Sequence, residues 1–174
     1  MPNLVILRLS KTIKSRLVDE KRYNFAILIK LLTKNMSIID SETGSFHISS
    51  KIVISKDKLY NEILKLAPKN KTWDITNGYK WIYFKNAIIE GLFFNIDVCF
   101  HNEKLFSIDF NFSDKESKIR SWDSWNENEE LKQKDLYENW LTKLFGKKRD
   151  FEWGKIGAYY DQRGGSTSIN IRYH

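Results

Sequence analysis

Asp97 and Asp109 lie on two consecutive stretches in which every second residue is apolar. Such alternation is the mark of a half-buried strand, so both carboxylates belong to a polar strand face. Two carboxylates held side by side repel unless a cation or a proton joins them. The pair is therefore read in three ways: a partner-binding patch, a structural ion network with a neighbouring Lys or Arg, or part of a metal site. For the last, Glu116-Ser117-Lys118 follows Asp109, and carboxylates near a lysine are what a magnesium-dependent nuclease uses. The same spacing recurs in Glu130-Leu131-Lys132, so it discriminates little.

Other chemistry is sparse. His47, His101 and His174 show no metal-ligand spacing and have no Ser or Cys near them in sequence. No Gly-x-Ser-x-Gly is present, and Gly164-Gly165 does not open a helix as a phosphate-binding loop would. Cys99 is the one cysteine, which excludes an internal disulfide and a zinc cluster and fits a cytoplasmic protein. Its mid-strand position beside Asp97 reads as a small inert residue. No catalytic residue, metal ligand, cofactor or small-molecule substrate is assigned. Most aromatic residues alternate with polar ones, as a core does. Trp122 and Trp125 stand apart in a polar segment, either exposed for binding or clamping a helix onto the sheet.

The element that sets out the aspartates is a hairpin from Leu92 to Phe112. Leu92, Phe94, Ile96, Val98 and Phe100 share one side, and Phe106, Ile108, Phe110 and Phe112 share one on the return. Both sets must reach one core. That requirement pairs Phe100 with Phe106, Val98 with Ile108 and Ile96 with Phe110, and predicts a three-residue loop within residues 101–104. On the polar side it sets Asp97 opposite Asp109 and Asn95 opposite Asn111.

The flanking elements follow from the same patterns. Residues 46–54 form one bent strand or a tight hairpin. Ser55 is expected to cap a helix over 56–67, ended by Pro68. Residues 69–71 and Asn77-Gly78 are loop signals, and Tyr79 to Phe84 is a strand apolar on both faces. Asn126 opens a helix to Phe145 with Tyr137, Trp140, Leu141 and Leu144 as its buried stripe, and a Gly-rich loop joins two last strands. The sum is one α+β domain: an antiparallel sheet of about six strands with helices mainly on one face. Its core is expected to hold Phe94, Ile96, Phe100, Phe106, Ile108, Phe110, Trp140, Leu144, Ile169 and Ile171.

The net charge of +7 is uneven. Residues 1–36 carry eight Lys/Arg against Asp19 and Glu20, whereas residues 90–139 carry twelve acids against six bases. A charge argument for nucleic-acid binding therefore applies to the N-terminal segment and not to the rest. Residues 1–35 are set apart as a basic extension holding a short strand and an amphipathic helix, and residues 36–174 as the domain. No apolar run is long enough to span a bilayer.

The ordered series Trp122-x-x-Trp125, Trp140-Leu141, Trp153-Gly154-Lys155-Ile156, Tyr160-Asp161-x-Arg163-Gly164-Gly165 and Ser168-Ile169-x-Ile171-x-Tyr173 resembles small bacterial immunity proteins that accompany polymorphic or contact-dependent toxins. The likeness covers residues 36–174 and rests on aromatics and turn glycines. It implies a non-enzymatic, cytoplasmic binding protein whose partner is a cognate protein toxin, neutralised by direct complex formation. It supplies no catalytic residues. The residues expected to meet that partner are Asp97, Asp109, Asn95, Asn111, Trp122 and Trp125. The alternatives are a small metal-dependent nuclease, or a nucleic-acid or membrane-surface adaptor working through residues 1–35.

Overall fold

A computed structural model describes residues 38–116 and 125–174. The expectations for residues 1–35, for Trp122 and for Ser117-Lys118 lie outside the described residues. Strands β1 (Phe46–His47) and β2 (Val53–Ile54) precede helix α1 (Tyr60–Leu66). A four-strand meander follows: β3 (Lys71–Asp74), β4 (Tyr79–Ile89), β5 (Leu92–His101) and β6 (Lys104–Ser113). Helix α2 (Glu127–Phe145) leads to β7 (Asp150–Phe151), β8 (Gly154–Asp161) and β9 (Ser166–Tyr173). Seven strands form one antiparallel sheet in the order β3-β4-β5-β6-β9-β8-β7, and β1 and β2 pair separately. The α+β class and antiparallel sheet agree with the sequence reading; the strand number does not. The sheet gains β3 and β7, neither read as a strand, and the 46–54 hairpin stands outside it; β3 has four exposed side chains and β7 only two residues, so neither leaves a burial pattern to find.

The central hairpin pairs Ile96 with Phe110, Asp97 with Asp109 and Val98 with Ile108, as the alternation requires. Its end differs from expectation. His101 pairs with Lys104 across a two-residue turn, Asn102-Glu103, whose φ values are +50° and +68°. Positive φ at both positions gives the turn whose twist suits a hairpin. The parity mismatch is absorbed by a bulge instead of a longer loop. Cys99 pairs with Ser107 and Phe100 with Leu105, so Phe106 is the extra residue. Leu105 takes the buried place expected for Phe106, and the Phe106 ring turns to the opposite face, against Tyr79 and His101.

One face of the sheet carries the core. Phe94, Ile96, Phe100, Ile108, Ile169 and Ile171 have no exposed surface. Helix α2 covers it with Tyr137, Trp140 and Leu141, and the Tyr137 hydroxyl bonds both backbone groups of Phe112. Leu144, in the last turn, is only half-buried, which corrects its place in the core. Helix α1 packs Tyr60 edge-on against Phe100 at 5.5 Å, and the β1–β2 hairpin sets Phe46 against Phe110 at 5.0 Å. All three elements thus lie on one side.

Two helix starts contrast. Asn126 caps α2 as expected, its side chain accepting from the Asn128 and Glu129 N–H groups. Ser55 does not cap α1. Its hydroxyl donates to Asp57 at 2.6 Å, and a turn intervenes before the helix opens at Tyr60. Ser55 stands four residues before the N-cap position, which Leu59 holds, so its side-chain oxygen is not placed to accept from the first helical N–H groups. Glu62 then reaches back to accept the Leu59 N–H at 2.9 Å.

Candidate partner-binding face

The second face of the sheet, opposite the helices, is where the polar side chains of the hairpin converge. Cross-strand partners share a face, so the register brings Asp97, Asp109, Asn95 and Asn111 together from β5 and β6. Each has a partner from an adjacent strand or within the cluster. Lys85 Nζ lies 3.0 Å from Asp97 Oδ1, and Asn170 of β9 donates to Asp109 Oδ1 at 2.9 Å. Asn95 donates to Asn111 at 3.1 Å and accepts the Asn86 N–H at 3.2 Å. The second of the three readings, an ion network with a neighbouring lysine, therefore describes Asp97. Glu116 accepts from Asn86 at 3.3 Å, and among the described residues no group of three or more His, Cys, Asp or Glu is placed to hold a metal ion.

The two aspartates differ in setting. Burial pushes the Asp109 carboxyl above its ordinary value; the Asp97 charge adds to this, while Asn170 and Arg172 oppose it. A carboxyl raised on folding weakens the protein wherever it is ionised, and the penalty fades as pH falls through the folded value toward the unfolded one. Asp109→Asn keeps an acceptor for Asn170 and removes the charge. It is expected to stabilise the protein at neutral pH, with the gain shrinking toward zero at and below the ordinary carboxylate value. Urea titrations of both proteins at neutral and acidic pH check this; a loss of stability at neutral pH would mean that the ionised Asp109 is held by charges stronger than Asn170 and Arg172.

Beside this cluster lies a feature that sequence analysis missed. Trp73, Trp81, Tyr79, His101 and Phe106 form a continuous row across β3 to β6, closed by Arg172 from β9. Trp73 and Trp81 are 5.1 Å apart between centroids, Trp81 and Tyr79 6.0 Å, and Tyr79 stacks on His101 at 4.3 Å. Phe106 meets Tyr79 and His101 edge-on, and the Arg172 guanidinium lies 3.1 Å from the Phe106 centroid. Trp73, on the sheet's edge, is 55% exposed. The signal was present: Tyr79 to Phe84 is apolar at every position but Lys80, more than one buried face requires.

The remaining candidates go elsewhere. Trp125 sits at the start of α2, where its indole N–H donates to the Gly165 carbonyl in the β8–β9 loop at 2.7 Å. It ties the helix start to that loop while staying 38% exposed, so it combines features of both readings, and it is not on β5 or β6. Cys99 is buried, and burial pushes its thiol up to about 11, so it carries no thiolate at neutral pH. No described helix is long and apolar enough to cross a membrane.

No protein-family model matches the sequence, and no curated protein matches it. A chain of the solved structure of Rhs1-CT in complex with cognate immunity protein RhsI1 is similar over 78% of this chain and 86% of its own, at 13% identity and a TM-score of 0.47. A likeness of that size carries no argument about function.

Proposed function

We propose that this chain is an immunity-type binding protein that neutralises a cognate bacterial toxin in the cytoplasm by direct complex formation, through the sheet face opposite its helices. The observation that carries the reading is that face itself. Helices α1 and α2 and the β1–β2 hairpin all pack on the other side, whereas this one holds an aromatic row beside Asp97, Asp109, Asn95 and Asn111. Aromatic residues and Arg are the types enriched where proteins bind one another. The ordered C-terminal series that resembles immunity proteins supports the same reading. Under it, residues 36–174 are the binding domain, with residues 1–35 a separate basic extension.

The test is co-expression with the protein encoded immediately upstream. The expected outcome is restored growth in cells making that toxin, together with a stable complex on size-exclusion chromatography. Toxicity unrelieved by this chain, with no complex formed, would remove the proposal.

A further inference from the structure

The two halves of the face opposite the helices are unequal in what they offer a partner, and this decides where the binding energy lies. The carboxylates are already engaged: Asp97 by Lys85 and Asp109 by Asn170. On the helix side of the same strands Lys80 lies 3.9 Å from Asp74 and 2.5 Å from Glu103 and is paired there. The cations that rim the row are not. Lys71, two residues from Trp73, Lys104, paired with His101, and Arg172 have no carboxylate within 4.0 Å among the described residues. The row is thus an apolar ridge edged by three cations with no carboxylate within ion-pair distance among the described residues, Arg172 acting on Asp109 only from farther off.

The ring geometry separates two kinds of anionic partner. Nucleobases bind by lying on free ring faces. Here Tyr79 and His101 present a face to each other and Arg172 covers Phe106, which leaves the bases few places to stack. A ridge that presents apolar edges with cations along its rim suits a protein segment that sets carboxylates around apolar side chains. Opposed fixed charges of this kind speed encounter and set orientation.

Resting on the binding role proposed above, we infer that the ridge Trp73–Trp81–Tyr79–His101–Phe106–Arg172 anchors the complex and that its partner surface is an acidic, apolar protein segment. The carboxylate pair lies beside this contact and adds little affinity. The partner patch read from the sequence at Asp97 and Asp109 thus gives way to an acidic segment facing Lys71, Lys104 and Arg172.

The experiment titrates the full chain with a labelled amphipathic peptide of Glu, Leu and Phe, a matched peptide with Lys in place of Glu, and an oligothymidine strand. The acidic peptide is expected to bind best, with affinity falling as salt rises. Trp73→Ala with Trp81→Ala is expected to weaken it about thirtyfold or more, the range of interface hot spots. Lys71→Glu with Lys104→Glu changes only exposed side chains and is expected to weaken it while leaving the thermal melt unchanged. Tyr159→Ala, at the far end of the same face, is the control that keeps binding. Failure of the acidic peptide to bind, indifference to both double variants, or ridge-dependent preference for oligothymidine would each overturn the inference. The peptides need no toxin, so the two proposals fail separately. Ridge-dependent peptide binding without protection of cells removes only the toxin reading, and protection that survives both ridge variants removes only the ridge.

Discussion

Phe110→Ala is expected to destabilise the protein by about 3–5 kcal/mol, the range for removing a large aromatic from a packed core. Phe110 is 1% exposed and sits where separate elements meet. Its ring meets Phe46 of β1 at 5.0 Å, Phe94 of β5 at 6.2 Å and Trp140 of α2 at 6.1 Å. Truncation leaves a cavity bounded by strands and a helix that cannot all close in, so the cost falls at the high end. It also loosens β6 one residue from Asp109, and thereby the face opposite the helices. A urea titration measures the effect. A change below about 1 kcal/mol would mean that the helical side repacks freely, contrary to the tight interior described here.

Gly154→Ala is expected to cost about 2 kcal/mol or more, in the range of strained backbone positions and overpacked sites. Gly154 has φ +154°, and a Cβ there would lie 2.1 Å from the Arg172 carbonyl oxygen. That atom is backbone, so β8 or β9 must move. The pairing of Gly154 with Tyr173 and of Lys155 with Arg172 places the disturbance at the foot of the ridge. The melting temperature should fall, and acidic-peptide affinity should fall with it as Arg172 leaves Phe106. Unchanged stability would show that the β8–β9 ladder tolerates a shift there. The contrast with Gly146 is informative: a Cβ on that glycine meets nothing within 4 Å, although its φ is also positive.

The aspartate pair was legible in the sequence because alternation from Phe94 to Phe100 and from Ser107 to Phe112, closed by a short connection, sets the register there. The end of the same hairpin was not. Leu105 and Phe106 are adjacent and both apolar, so either one satisfies the core, and only the turn at Asn102-Glu103 decides between them. The helices' side was legible from Tyr137 and Trp140; the start of α1 was hidden by the turn from Ser55 to Lys58, which delays the helix to Tyr60. The aromatic ridge was legible only as the excess of apolar residues from Tyr79 to Phe84. It gathers residues from five strands, and Trp73 stands on a strand whose exposed side chains carry no periodic signal. Trp125, by contrast, stands out in a polar stretch, and it is both hydrogen-bonded to the β8–β9 loop and exposed.

The central claim, that the face opposite the helices meets the partner, is most directly tested by hydroxyl-radical footprinting of this chain alone and in complex with the protein encoded upstream. The account predicts that Trp73, Trp81, Tyr79 and Phe106 lose reactivity on binding, while Leu66 and Leu131, exposed on the helices of the other side, keep theirs. Protection of Leu66 and Leu131 with no change along the ridge would contradict it.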